Sequence, residues 1–151
     1  MPTIVKQLKS YILNFTSYQS AQIKVIGYNH QRGVDWPVID KLSFGQWIDT
    51  HHKYSNIKIE GLEYDSRILK FCSTRRIKNI HAFYNQKSGY SFKWHSDDLN
   101  VLLIVVKGYK RLEIKNSVYN LRAGDSVLIP KGYKHRAWSS AGTWALSVGL
   151  Q

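Results

Sequence analysis

Between residues 57 and 148 the chain is cut into short apolar runs by turn-forming residues, and this pattern restricts the fold more than any other feature. Strands are expected over 57–59, 68–72, 77–84, 90–95, 101–106, 111–114, 118–121, 126–129, 135–138 and 143–148. Most of these runs are rich in β-branched or aromatic residues. Lys87-Ser88-Gly89, Lys107-Gly108, Lys115-Asn116, Ala123-Gly124-Asp125, Pro130-Lys131-Gly132 and Ala141-Gly142 separate many of them. Strands this short are not stable singly, so a chain that makes many of them closes into a β-sandwich or barrel.

The start of the chain follows a different period. Ile4, Val5, Leu8, Tyr11, Ile12 and Phe15 recur at helical spacing with polar residues between them, which predicts an amphipathic helix packed on the domain's own core. Residues 27–37 contain Gly, Asn, Asp and Pro and read as loop. Ser43 is a candidate N-cap for a short helix running through Phe44, Trp47 and Ile48 toward His51. The expected organisation is one domain over 1–151, with a helical and loop part over 1–56 and a β-barrel core over 57–151.

Composition narrows the class. With 43% hydrophobic and 21% charged residues, a disordered or fibrous chain is excluded. The one cysteine, Cys72, excludes an internal disulfide and a cysteine-rich zinc site, and is expected as a buried small hydrophobe in a reducing compartment. No apolar run approaches the roughly 18 residues of a membrane span, and no secretory apolar segment opens the chain. A cytoplasmic location without membrane contact is therefore expected. Lys and Arg total 22 against 10 Asp and Glu, a net charge of +12 that attracts acidic or phosphate-bearing partners. The basic residues gather at Arg75, Arg76 and Lys78, at Lys107, Lys110 and Arg111, and at Lys131, Lys134 and Arg136.

Phe92-Lys93-Trp94-His95-Ser96-Asp97-Asp98 holds the candidate chemistry. In a strand, side chains two apart share a face, so His95 and Asp97 reach one point while Asp98 points away. An imidazole and a carboxylate joined by a second imidazole form the facial triad of non-haem iron enzymes, which leaves open coordination positions. His135 is the candidate second imidazole: a Gly124-Asp125 turn, a strand, and a turn at Pro130 bring the chain back beside the first motif. His81 is expected as a packed or surface histidine, and His51 and His52 carry no assigned chemistry. Lys110 opens the strand after the one leaving the motif. A buried lysine needs a negative partner, which a bound dicarboxylate would supply, whereas on alternation alone the better reading is a solvated Lys110, one of 22 basic residues. Trp94, Trp138, Trp144, Tyr90 and Tyr133 are expected to build barrel walls, with one or two of them lining a substrate mouth.

These residues resemble a family. His95-Ser96-Asp97, the run Val105-Val106-Lys107-Gly108-Tyr109-Lys110-Arg111, Gly124-Asp125, Ile129-Pro130, His135 and the segment 143–148 resemble the JmjC/cupin-like 2-oxoglutarate oxygenases. The Lys-Gly-Tyr-Lys-Arg run is similar to that of the asparaginyl hydroxylase acting on hypoxia-inducible factor. The resemblance spans roughly residues 77–150. It implies a mainly β fold, a double-stranded β-helix (cupin/jelly-roll) with N-terminal helices, in which His95, Asp97 and His135 bind Fe(II) and Lys110 holds 2-oxoglutarate. The implied activity is a dioxygenase that hydroxylates a C–H bond of a peptide, protein or small-molecule substrate while 2-oxoglutarate becomes succinate. The family's threonine before the first histidine falls on Phe92 here, so Ser91 and Tyr84, with Asn85, become the candidates for the remaining co-substrate hydrogen bond. Other readings stay open: a cupin metalloenzyme that does not use 2-oxoglutarate, or a non-catalytic basic cupin binding nucleic acid or sugar. The resemblance also leaves a homodimer open.

Overall fold

The computed structural model describes residues 2–14, 22–29, 54–72 and 76–151. Helix α1 (Pro2–Leu13) is followed by strands β1 (Lys24–Tyr28) and β2 (Asn56–Glu60). A single 3-10 turn (Leu62–Tyr64) leads into helix α2 (Ser66–Cys72). Strands β3 (Ile77–Asn85), β4 (Gly89–Tyr90), β5 (Asn100–Lys107) and β6 (Tyr109–Ile114) come next. The chain ends with β7 (Ser117–Arg122), β8 (Ser126–Ile129), β9 (His135–Ser139) and β10 (Thr143–Leu150).

The strands make two antiparallel sheets. The larger has the order β1-β2-β3-β10-β5-β8 and the smaller the order β4-β9-β6-β7. From β3 onward the chain crosses repeatedly between them, so the two sheets wrap one interior. The fold is mainly β, a cupin-type jelly roll with helices added at its N-terminal side.

Strand alternation divides the apolar residues into two cores. On β3, Ile80 and Ala82 point out of the barrel, as do Trp144, Leu146 and Val148 on β10. They meet Ile4, Leu8 and Tyr11 of α1 and Ile68 and Cys72 of α2. Inside the barrel, Val101, Leu103 and Val105 of β5 pack on Leu112 and Ile114 of β6 with Leu121, Ile129 and Ala145. The larger sheet is thus covered on both faces, and its strands lose the simple alternation of a half-solvated sheet.

Three sequence expectations are corrected. Residues 68–72 are helical, because Asp65 accepts hydrogen bonds from the amides of Arg67 (2.9 Å) and Ile68 (3.1 Å) and caps a helix there. Ile68 and Cys72 are then buried together at helical spacing. The helical and loop region over 1–56 contains a strand: residues 24–28 pair with β2, so the loop expected from Gly27 starts too early. Residues 90–95 are not one strand. Tyr90 faces Trp138 and His95 faces His135, so five steps of chain lie opposite three, and the surplus residues leave the ladder. The rest of the 27–37 loop, the helix proposed from Ser43, His51 and His52, and Arg75 lie outside the described residues. Among the described residues, no helix is long and apolar enough to cross a membrane.

Asp65 also joins the two helices. Its Oδ2 accepts hydrogen bonds from the Tyr11 hydroxyl and from Gln7 Nε2. Asp65→Ala removes the cap of α2 and the acceptor for a buried tyrosine together. It is expected to lower stability by about 1–3 kcal/mol, from the lost cap and the lost acceptor of the Tyr11 hydroxyl, which keeps the hydrogen bond from Gln7 Nε2 at 3.1 Å. Urea unfolding followed by circular dichroism checks this, and an unchanged midpoint would remove Asp65 from the helix packing.

Candidate metal centre

The segment from 91 to 99 leaves β4 and crosses the barrel mouth before β5 begins. Two main-chain hydrogen bonds hold it to the start of β9: His95 N–H to His135 O at 3.1 Å, and His135 N–H to His95 O at 2.8 Å. The turn preceding β9 is held against the same segment. Gly132 N–H donates to Asp97 O at 3.0 Å and Lys131 N–H donates to Asn100 Oδ1 at 2.8 Å. Gly132 has φ +81, a left-handed conformation in which glycine carries no steric penalty. The Pro130-Lys131-Gly132 turn therefore brings the two halves of the motif together.

His95, Asp97 and His135 converge. One donor atom from each lies within 4.8 Å of the others, and the two imidazole centroids are 4.3 Å apart. Both rings are oriented in the same way. Nδ1 of His95 lies 2.7 Å from Lys93 O, and Nδ1 of His135 lies 2.9 Å from Tyr133 O. A carbonyl can only accept, so Nδ1 carries the proton in each ring, and each Nε2 keeps its lone pair for a ligand. His135 Nε2 is 3.3 Å from Asp97 Oδ2. With its proton on Nδ1, that nitrogen and a carboxylate oxygen present lone pairs to each other. A cation shared between them, a proton or a metal ion, resolves the contact. Two nitrogens and a carboxylate suit a divalent transition metal with borderline ligand preference.

The surroundings tune these groups. Burial lowers the His95 pKa and outweighs the hydrogen bond to Lys93 O. For Asp97, burial works to raise the pKa, but His135 when doubly protonated, donating to it, and the charges of protonated His135 and His95 and of Lys58 hold it below the ordinary carboxylate value. At neutral pH both arrangements favour the forms that bind metal: a neutral imidazole and an ionised carboxylate.

The triad stands in a cavity of about 240 Å³. Phe83, Phe92, Leu103, Leu112 and Ile129 give it apolar walls, and Lys110 enters it from the smaller sheet. Lys110 is 4% exposed, and its pKa is lowered to about 8 by burial alone. No carboxylate among the described residues pairs with it. Structure thus decides between the two sequence readings: Lys110 is an interior lysine.

Of the other candidates, Ser91 lines the cavity and Tyr84 does not. Ser91 is buried, and its Oγ accepts hydrogen bonds from the amides of Asn56 (3.2 Å) and Asn85 (3.3 Å). Tyr84 is corrected: it lies on β3 on the opposite face from His81 and Phe83 and stacks on Trp144 at 4.5 Å in the outer core. The aromatic expectation also fails in part, since none of Trp94, Trp138, Trp144, Tyr90 and Tyr133 lines the cavity. Trp144 is 1% exposed in the outer core, and Trp94 and Tyr133 are solvent-exposed. Asp98 points away and is exposed. Cys72 is buried as expected, and burial pushes its thiol up to about 11.

Two further wall residues are Lys58, which escaped the sequence reading, and His81, expected as packed or at the surface and found packed. Lys58 is buried and pairs with Glu60 at 3.1 Å. His81 turns its ring into the cavity, and burial lowers its pKa to about 4. Its Nδ1 is buried without a hydrogen-bond partner among the described residues. The signal for Lys58 lay in Ile57-Lys58-Ile59, where alternation puts the lysine on the face opposite two isoleucines.

Comparisons with known proteins agree on the fold. Residues 78–148, a little under half the chain, match the family model described as AraC-like ligand binding domain. No curated protein matches the sequence. The structure is similar to YcfD, a ribosomal oxygenase from Escherichia coli, at 16% identity and a TM-score of 0.69, over 90% of this chain and 42% of that one. The YcfD complex with cobalt and succinic acid gives 0.67 with the same identity and coverage. A cupin superfamily protein from Desulfitobacterium hafniense is 14% identical over 52% of this chain and 70% of its own, with a TM-score of 0.46. This chain therefore corresponds to less than half of YcfD, and at such identities the likeness is one of fold.

A buried lysine without a carboxylate costs stability. Lys110→Met keeps the stem and removes the charge, and is expected to raise stability at pH 7 by about 1–3 kcal/mol. Because the folded value of about 8 lies below the ordinary 10.5, the unfolded chain binds more protons between the two. Stability of the unsubstituted protein should therefore rise with pH across that window, and the variant should lose this rise. Thermal melts at several pH values check both outcomes.

Proposed function

We propose that the protein is a dioxygenase dependent on Fe(II) and 2-oxoglutarate, which hydroxylates a C–H bond of a peptide, protein or small-molecule substrate. The observation that carries this reading is the pair of imidazoles whose Nδ1 protons are committed to carbonyls, so that both Nε2 atoms and Asp97 address one point. His95, Asp97 and His135 would hold the iron. When bound, iron with 2-oxoglutarate supplies oxygen activation, with loss of CO₂ and formation of succinate. The likeness to an oxygenase structure that contains cobalt and succinic acid supports the same reading.

The chain's own residues have distinct tasks. Lys110 would pair with the distal carboxylate of the co-substrate. Its burial makes that pairing strong, because water does not compete for the ammonium and the dielectric is low. Ser91, gripped by two amides, offers a fixed hydroxyl on the same wall. Phe83, Phe92 and Leu103 exclude water from the reacting atoms. The Lys93 and Tyr133 carbonyls keep the imidazoles from rotating and make them better donors.

The match to an AraC-like ligand binding domain favours a second reading, a pocket that holds a small ligand without chemistry. One titration separates the two. Anaerobic addition of 2-oxoglutarate to the Fe(II)-loaded protein is expected to produce a weak visible charge-transfer band, followed by succinate formation on admission of O₂. His135→Ala should abolish iron binding. Lys110→Ala should leave iron bound and weaken the 2-oxoglutarate titration by a factor on the order of 100, the loss of one buried charge-assisted contact. Affinity for 2-oxoglutarate should be flat below about pH 8 and fall above it as free Lys110 loses its charge. Iron bound without any band, or turnover unchanged in Lys110→Ala, would overturn the co-substrate assignment in favour of the second reading.

A further inference from the structure

The function proposed above uses the inner face of the smaller sheet, while the outer face of the same four strands carries a separate pattern. Lys110, Leu112 and Ile114 point inward, so Tyr109, Arg111 and Glu113 point outward. On β9, His135 and Ala137 line the cavity, and Arg136 and Trp138 take the outer side. Each outward arginine lies on a ring. Arg111 Cζ is 5.5 Å from the Trp138 centroid, and Arg122 Cζ is 5.2 Å from that of Tyr109. Arg136 Cζ is 4.2 Å from the Tyr90 centroid and 4.9 Å from that of Trp94.

We infer that this outer face binds single-stranded nucleic acid. A guanidinium stacked on a ring keeps N–H donors for a phosphate. Arg111 gives one, on Nη2, to Tyr90 OH at 3.1 Å, and Arg136 gives one to Glu113. Neighbouring π-faces accept unpaired bases and are tolerant of sequence. Charge complementarity selects the occupant. Glu113 is the one acid on β4, β6, β7 and β9, and it pairs with Arg136 at 3.2 Å and accepts from Tyr90 OH at 2.8 Å. Arg111 shares the field of Glu113 with Arg136 and donates to Tyr90 OH at 3.1 Å, and one carboxylate facing Arg111, Arg122 and Arg136 leaves this face with an excess of positive charge. A second copy of the chain would bring like charge against like, on a molecule whose net charge is +12. A phosphodiester chain is the polyanion that uses both features. A duplex uses only the arginines, because its bases are stacked on one another. The face also reaches the cavity mouth, since Trp94 precedes His95 and Arg136 follows His135.

The test measures anisotropy of fluorescein-labelled oligouridylate and oligothymidylate with the full chain. Two phosphate contacts, at Arg111 and Arg122, predict a slope of log K against log salt of about −1.4 for single strands. Arg111→Glu with Arg122→Glu is expected to weaken binding by about tenfold or more and to flatten that slope. Lys6→Glu with Lys9→Glu makes the same charge change on the exposed side of α1 and should alter affinity by no more than about twofold. If the double arginine variant melts early, Arg122→Glu alone serves, because Arg122 is exposed. Binding to both oligomers assigns the site to the phosphate and base faces they share, and a uridylate preference assigns it to RNA. Equal losses in the two charge-reversal pairs would reduce the effect to net charge and overturn the proposal. Equal affinity for a duplex of the same length, or binding only to phosphatidylserine vesicles, would overturn it as well. None of these measurements uses iron or 2-oxoglutarate, so the result stands apart from the catalytic reading.

Discussion

Two main-chain hydrogen bonds between His95 and His135 decide where everything else in the site goes. They join positions forty residues apart and close the bridge at which both imidazoles are mounted. Side chains on a paired bridge have little freedom in where they start, and the Nδ1 bonds to Lys93 O and Tyr133 O remove most of what is left. The donor set is therefore assembled by backbone geometry before any ion is considered. Asp97 belongs to the same unit, since its carbonyl receives the Gly132 amide while its side chain faces His135. Such preorganisation means that a ligand does not have to supply the ordering free energy of three separate side chains.

That arrangement opposes the stability of the barrel. Lys110, Lys58, His81 and His135 all share the cavity with aliphatic walls. A core built for stability alone would place apolar side chains at most of these positions. Glu60 compensates Lys58, whereas Lys110 faces only burial. The fold tolerates this because the two cores are independent supports. The outer core, with α1, α2 and the back of the larger sheet, contains no cavity residue apart from the strands themselves, so the polar interior does not weaken it. Local violations of core chemistry within an otherwise consistent fold are where function is normally found.

The strands from β5 to β10 were legible in the sequence because short β-rich runs and glycine turns agree there, and the 126–129 strand ends where the spacing places it. The failures have two physical origins: long-range pairing that local pattern does not encode, and a local helix cap at Asp65 that the apolar run outweighed. Residues 68–72, Ile68-Leu69-Lys70-Phe71-Cys72, are as apolar as a strand but hold one β-branched residue, and the Asp65 cap starts a helix there. Residues 24–28 form a strand because β2 lies beside them, far away in sequence. His95 and Asp97 were found for a partly mistaken reason. They converge from an irregular segment and not from one face of a strand. Ser91 was legible and Tyr84 was not, since alternation on β3 turns Tyr84 into the outer core. Lys58 was readable from its place between Ile57 and Ile59, whereas the choice between a packed and a surface His81 was not, because both faces of β3 are covered and alternation there does not mark the inner one.

The smaller sheet shows how closely register and chemistry are tied. Lys110 and Arg111 are neighbours, as are His135 and Arg136, and in each pair one member faces the cavity and the other faces outward. A slip of one residue would carry arginines into the interior and remove both the lysine and the second imidazole from it. The register that prevents this pairs Leu112 with Ala137 and Ile114 with His135, and pairs Lys110 with Leu121 on the other side. It is fixed at one end by the β6–β7 turn, where Lys115 takes φ +51, and inside by Leu112 and Ile114 packing on β5. Outside, the arginine–aromatic contacts of Arg111 and Arg136 span β4, β6 and β9 and would all be broken by the same slip. Cationic residues that decorate the surface therefore also hold the interior histidine and lysine in place, and the two faces of this sheet are one structural constraint.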